Sequence, residues 1–484
     1  MGLRVAVVGG GVAGLAGAYR LLELKKEKKA DLEMLLFERS GRVGGVIGTE
    51  KRDGFILEKG PDAFISEKPG CLELCRRLGI ESEIIGTKDE NRKSFVARGE
   101  RLIPVPEGFY LIAPTRIGSF LASPLLSLPG KLRVMLEPFV PKRVEESDES
   151  IGSFIRRRFG SEALEKVGQA MLAGIYTGDP NFLSLSATMP RFSQLEKKYG
   201  SVIRGLRAAA REKNGALGAA SGPRYSLFLS FKNGMRTLTD EIAKRLPVGS
   251  VKLNSEINQI AYDPPAKKWR LVMKSGPVEW ADVVCVTSPA KSAAGLLGQA
   301  ARGLSEKLAA ISYESVATIN FAHRGADIAH RLDGFGFVVP KMEKRATIAC
   351  SFSSQKFDGR APKGFTLLRA FVGGVFGREY LDLEDADLIN MVENELKAFL
   401  GLNGKPLFTY LSRYPTSMPQ YGVGHENLVK EIREELKKWP GLFLTGAAYR
   451  GVGIPDCITD AEAQAEAIRS FASLRMTEEK VRMT

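Results

Sequence analysis

The stretch LRVAVVGGGVAG, Leu3 to Gly14, runs from an apolar segment straight into glycine. Leu3 to Val8 has the length and apolar character of a buried strand. Gly9, Gly10, Gly11, Val12, Ala13 and Gly14 then match G-x-G-x-x-G. In that pattern Gly9 permits the tight turn, Gly11 lets the backbone approach a pyrophosphate, and Gly14 lets strand and helix close together. Val12, Leu15, Tyr19 and Leu22 follow at helical spacing, with Arg20 and Glu23 on the other face. A second apolar run, Leu32 to Phe37, ends in Glu38, 24 residues beyond Gly14. An acid at about that distance binds ribose hydroxyls, so the whole βαβ unit predicts dinucleotide binding. The competing reading is a glycine-rich turn in a nucleotide-free α/β domain.

The rest of the composition narrows the field. A chain of 484 residues carries about three domains' worth of core. With 44% hydrophobic and 26% charged residues it is not a disordered chain. Three His and five Cys are too few and too scattered to predict a metal site. Cys71 and Cys75 share a helix, Cys285 lies in an apolar strand, and Cys350 and Cys457 are isolated, so reduced, buried thiols are expected. Met1 leads directly into the first strand with no signal-peptide pattern, which predicts a cytoplasmic protein. The net charge of +14 favours anionic partners, or is a solvated basic surface. No nucleic-acid-reading motif accompanies it, and Arg156, Arg157 and Arg158 are expected on the outer face of a helix. No apolar run reaches the roughly 18 residues of a membrane span. Phe109 to Leu128, broken by Pro114, Arg116 and Pro124, lies on a membrane surface, lines an apolar pocket or is an irregular connection packed on the core.

Further along, helices separated by prolines are expected from about 89 to 205. Alternating segments at Val316–Ala322, Gly336–Val339, Ala346–Phe352 and Thr366–Val372 suggest an antiparallel meander. Leu388, Met391, Val392, Leu396 and Phe399 form a helix stopped by Gly401.

Two separated segments carry a family resemblance. Ser40 to Gly45 follows the ribose acid, and Asp53-Gly54-Phe55 through Glu58-Lys59-Gly60-Pro61 comes soon after. The arrangement resembles the FAD-binding start of the amine oxidase, desaturase and porphyrinogen oxidase superfamily. Leu442 to Gly446 is similar to its closing strand, whose following helix would aim its N-terminus at the flavin. The resemblance implies FAD as cofactor. It assigns FAD binding to the Gly9–Gly14 loop, Glu38, Arg39, Arg42, Gly44, Gly45, Val46, Gly60, Pro61, Asp62, Ala63, Ile257, Tyr414, Gly446, Val452, Gly453 and Ile454. The fold class it implies is α/β: a discontinuous Rossmann-like FAD-binding domain (1–88, 230–290 and 436–472), a mixed-sheet substrate domain (291–435) and a helical lobe (89–205), with a mobile loop at 206–229.

A closer resemblance lies in Gly174 to Asp179 with Leu183-Ser184-Leu185, in Met418 to Tyr421 with Gly424-His425, and in Gly451 to Ile458. These resemble the oxygen-dependent porphyrinogen oxidases of haem synthesis, of the soluble Gram-positive type, in family order from Arg4 to about Ile468. The implied activity is six-electron oxidation of a porphyrinogen, with O2 as acceptor and Gly174, Tyr176 and Gly178 lining the pocket. Plant and animal members carry an Arg where Ser94 stands. Ser94 therefore points to a substrate with four propionates, coproporphyrinogen III, with protoporphyrinogen IX the alternative and Arg92 and Arg98 the neighbouring cations. The flavin carries the chemistry, so no catalytic side chain is expected; His425 reads as structural and Asp179 as a turn cap. The rival readings are an amine oxidase or polyene desaturase, against which stands the lack of a covalent-flavin motif, and a basic RNA-binding protein, which leaves the second FAD segment unexplained.

Overall fold

A computed structural model describes residues 3–28, 32–88, 93–216 and 227–483. Its first layer is a five-stranded parallel sheet in the order Val251–Lys252, Leu32–Phe37, Leu3–Val8, Val283–Val286, Leu442–Leu444. Such a sheet is covered on both faces, and its strands are correspondingly mostly apolar, with Arg4, Glu33 and Lys252 the charged exceptions. Val5, Val7 and Leu36 enter a core shared with helices Val12–Lys28, Gly70–Leu78 and Ile454–Met483. Ala6, Val8 and Phe37 enter the opposite core with Trp269, Ala293, Leu304 and Ile432. Helices Ala290–Leu297, Arg302–Ala309 and His425–Leu436 thus pack on the parallel sheet, although the sequence groups them with the substrate domain.

The second layer is a seven-stranded mixed sheet in the order Phe408–Pro419, Tyr313–Arg324, Phe365–Gly373, Thr347–Phe352, Gly336–Val338, Ser94–Arg98, Arg101–Pro104. The expected meander is real only for its last three strands, because Tyr313–Arg324 pairs with Phe365–Gly373 instead of with its sequence neighbour. Two strands at 94–104 join this sheet from a stretch expected to be helical, and Pro104 closes the edge strand, where a missing N–H costs nothing. One face of the sheet, with Phe95, Phe337, Ile319 and Ala370, packs on helix Asp385–Leu400. The other face looks towards the glycine loops.

Helices from Ile117 onward build a third core around Phe154, Phe159, Phe192 and Leu206. Arg158 lies at its centre, not on an outer face: its side chain is fully buried against Glu137 and Glu196. Of the mobile loop expected at 206–229, residues up to Ala216 belong to helix Val202–Ala216 and Phe228 starts strand Phe228–Phe231; residues 217–226 lie outside the described residues. All five cysteines are buried and free, as small core residues.

Candidate active site

The first glycine turn folds as its packing demands. Gly9 sits at φ 116°, which only glycine adopts readily. A side chain on Gly14 would collide with the Gly9 carbonyl oxygen, so helix Val12–Lys28 can close this tightly only over glycine. Gly11 differs: a Cβ there would meet nothing within 4 Å, and its backbone borders open space. Glu38 is buried at the end of its strand, where Oε2 accepts the Gly10 N–H at 2.7 Å and Oε1 accepts the Ser40 N–H at 2.8 Å. A second glycine pair closes on the first. The Gly44 N–H donates to the Gly10 carbonyl at 2.8 Å, and a Cβ on Gly45 would lie 3.2 Å from the Gly11 Cα. Arg42 braces this loop, donating to the Val43, Gly45 and Ile47 carbonyls at 3.1, 2.8 and 2.9 Å. Arg39 and Val46 are exposed beside it, and Gly60 packs against the Val46 carbonyl.

The C-terminal segment meets these loops from the other side of the sheet. The Thr445 N–H donates to the Val286 carbonyl at 3.2 Å, and its hydroxyl donates to Asp460 at 2.7 Å. Gly446 turns at φ 130°, and Val452-Gly453 leads into the N-terminus of helix Ile454–Met483. A dinucleotide fits this cradle: open space beside Gly11, backbone N–H groups at helix Val12–Lys28, a buried acid at the strand end in Glu38, and a second helix N-terminus at Ile454. Ile257 is buried, its side chain in the same core as Trp269 and Phe37. Tyr414 is on the edge strand Phe408–Pro419, half-buried, where burial pushes its hydroxyl pKa up.

Between the cradle and the large sheet lies the turn Glu58–Ala63. Pairing across five strands puts Ser94, Gly336, Ser351, Arg369 and Asn320 in one row on the sheet face that looks at this turn. Thr318 and Asn320 donate to the Lys59 and Glu58 carbonyls at 2.8 and 3.3 Å. Arg369 Nη2 donates to the Gly60 carbonyl. Glu58 is buried, with Oε1 accepting the Met235 N–H and Oε2 the Thr49 hydroxyl, both at 2.8 Å. Burial pushes its carboxyl up to about 7, against the pull of Arg360. For Asp62, burial acts upward too, but Lys356 at 3.0 Å, with Arg369 and Arg360, more than offsets it and holds the carboxyl below its usual value. None of Thr318, Asn320, Glu58 or Arg360 was a candidate from sequence. The available signal was polar residues at alternate positions of otherwise apolar strands, Thr318 and Asn320 in VATINFA and Arg369 in LLRAFV.

The third wall is helix Gln169–Tyr176. Gly174 is exposed and faces the Val338 side chain of the sheet, its would-be Cβ 3.4 Å from Cγ1. The Tyr176 hydroxyl donates to the Thr188 carbonyl at 2.8 Å, and burial pushes its pKa up to about 12. Gly178, expected on the pocket wall, is instead buried against Gln420 and Leu183. Its lack of a side chain admits the Gln420 amide, which donates to the Tyr176 carbonyl at 2.9 Å. Asp179 accepts the Asn181 N–H at 2.8 Å, the geometry of a turn cap. His425 stacks on Tyr421 with ring centroids 4.0 Å apart, and burial lowers its pKa to about 4.

Comparison with known proteins gives one answer. The chain is 37% identical to a coproporphyrinogen III oxidase of Bacillus subtilis, covering 95% of this chain and 96% of that one. It is 31% identical to a coproporphyrinogen III oxidase of Staphylococcus aureus, covering 96% and 98%. A crystal structure from Exiguobacterium, assigned as a protoporphyrinogen oxidase, superimposes with a TM-score of 0.84 at 30% identity over 97% of this chain and 99% of that chain. The flavin-containing amine oxidoreductase profile matches residues 12–469. Cradle, turn and profile agree: the chain belongs to the flavin-containing amine oxidoreductase family.

Proposed function

We propose that this flavoenzyme oxidises a porphyrinogen to its porphyrin with O2 as acceptor, and that its preferred substrate is coproporphyrinogen III. The observation that carries this reading is the likeness, along essentially the whole length of each chain, to two coproporphyrinogen III oxidases. Bound FAD supplies the hydride-accepting centre.

This chain's own residues bind and orient. The Gly9–Gly14 and Gly44–Gly45 loops hold the dinucleotide through backbone N–H groups, with Glu38 on the ribose. Gly174 brings bare backbone to the substrate, and Tyr176, its hydroxyl already engaged, offers a fixed flat wall. The row that begins at Ser94 forms the opposite wall. A hydroxyl at Ser94 leaves room for a carboxylate-bearing arm, and the net charge of +14 suits a polyanion. No side chain is required as a base. His425 is neutral at pH 7 and held by Tyr421, and Asp179 is spent on its turn. The division of labour follows: 1–88, 230–290 and 436–472 hold FAD, the large sheet presents the substrate, and the helices of 89–205 cover it.

No helix among the described residues is long and apolar enough to cross a membrane. Peripheral contact, expected at Phe109–Leu128, is better placed from its last residue onward. Leu128 and Leu132, one turn apart on helix Leu128–Met135 beside Lys131, are 79% and 62% exposed, and Phe139, in the short helical turn Glu137–Phe139 that follows, is 75% exposed.

Porphyrin fluorescence in air from coproporphyrinogen III and protoporphyrinogen IX, side by side, tests the reading. Faster turnover of the first is expected. No fluorescence above the enzyme-free rate with either overturns it. Ser94→Arg is expected to shift the rate ratio towards protoporphyrinogen IX, and an unchanged ratio removes Ser94 from substrate choice.

A further inference from the structure

Three successive backbone carbonyls, those of Glu58, Lys59 and Gly60, are gripped from the large sheet. Asn320 takes the first, Thr318 the second, and Arg369 Nη2 the second and third. Two of these grips, those of Asn320 and Thr318, are neutral. The third is a guanidinium only 2% exposed, whose Nε and Nη1 find no partner among the described residues. The Phe371 ring also lies beside it, its centroid 4.7 Å from the guanidinium carbon. Among the described residues, the cluster sets three cations, Lys356, Arg360 and Arg369, against two carboxylates, Glu58 and Asp62.

A buried, half-bonded cation in a surplus of like charge is costly, and an apolar residue of similar volume would pack there at least as well. Stability does not explain it. Burial also rules out direct contact with a substrate carboxylate, since the guanidinium borders no open space. What remains is its position directly behind the Gly60–Ala63 turn.

We propose that Arg369 is a positioning residue for the redox step: it ties the cofactor turn to the substrate sheet and keeps a fixed positive charge behind it, favouring the more negative, reduced form of the flavin. The charge acts through a low-dielectric interior and is already in place when electrons arrive, so no reorganisation is needed at that moment. The inference rests on the reading that residues 60–63 border the flavin.

The test compares Arg369→Met and Arg369→Lys holoenzymes, measuring the midpoint potential of bound FAD together with kcat and KM. In Arg369→Met the potential shifts to more negative values and kcat falls about tenfold with KM nearly unchanged. Arg369→Lys keeps the charge and loses the two-pronged grip, so its potential stays near wild type. Arg369→Met at the wild-type potential overturns the proposal. Glu58→Gln supplies an independent arm: at pH 8 it removes a carboxylate from the cluster and shifts the potential positive, and no shift there also overturns the proposal. The premise has its own readout. Ala63→Leu perturbs the visible FAD spectrum if the turn borders the flavin, and an unchanged spectrum refutes that placement while leaving the charge measurement intact.

Discussion

Two fully buried arginines, Arg158 and Arg369, sit in opposite parts of the molecule and are treated very differently. Arg158 has every donor nitrogen engaged. Its Nε donates to Glu137 at 2.7 Å, Nη1 to the Val140 carbonyl at 2.9 Å, and Nη2 to the Gly200 carbonyl at 2.8 Å. Glu137 in turn accepts the Val202 and Ile203 N–H groups at 3.0 and 3.3 Å, so the pair also caps helix Val202–Ala216. Arg369 holds backbone with one nitrogen, and its other two find no partner among the described residues. A closed network fixes one arrangement of helices, whereas an open one stores charge beside a site.

Breaking the closed network should cost most. Arg158→Met leaves Glu137 buried without its counter-ion, and urea unfolding is expected to show a loss of about 3–5 kcal/mol. The FAD spectrum of the folded fraction should not change; if it does, the two networks are coupled. Next comes the pH response of the open cluster. The Glu58 carboxyl lies at about 7 in the folded chain against 4.5 ordinarily. Its folded state therefore holds a proton that the unfolded chain releases, so stability is full below about pH 4.5 and is lost as pH rises through 7. That loss is worth about 3 kcal/mol, and Glu58→Gln should flatten it in urea titrations at pH 5 and 8. The smallest effect is expected at the neutral grips. Thr318→Val leaves the Lys59 carbonyl to Arg369 alone and should cost about 1 kcal/mol without moving the flavin potential. A potential that moves with Thr318→Val would mean that the grip, and not the charge, tunes the site.

The nucleotide cradle is readable because Gly9 and Gly14 each answer a local need that leaves a local signature. The φ of Gly9, the contact at Gly14 and the strand-end acid Glu38 all fall within 36 residues of chain. The large sheet was half readable. Its central strands alternate visibly, but Phe408–Pro419 carries Pro415 and Pro419, which an edge strand tolerates and a sequence pattern reads as loop. Ser94–Pro104 pairs with a strand more than two hundred residues away, a partner no local period specifies. The buried charges were the least legible. RRR at 156–158 suggested a solvated face because its counter-ions, Glu137 and Glu196, come from other helices. Arg369 reads from sequence only as a charge on an apolar strand, because which way it faces depends on a register set by neighbouring strands.

The order of the parallel sheet bears on how the protein is made. Its strands come from residues 3–8, 32–37, 251–252, 283–286 and 442–444, so the first strand synthesised waits for the last before the layer is complete. Gly446 and the helix that begins at Ile454 arrive later still. During translation the helices around Phe154 have the sequence they need well before the nucleotide cradle does, and the large sheet is complete at Pro419, before the last strand of the parallel sheet begins. Cofactor capture is thus a closing act of biogenesis, and a nascent chain stalled before residue 442 presents an open edge at Val283–Val286, a natural target for chaperones or proteases.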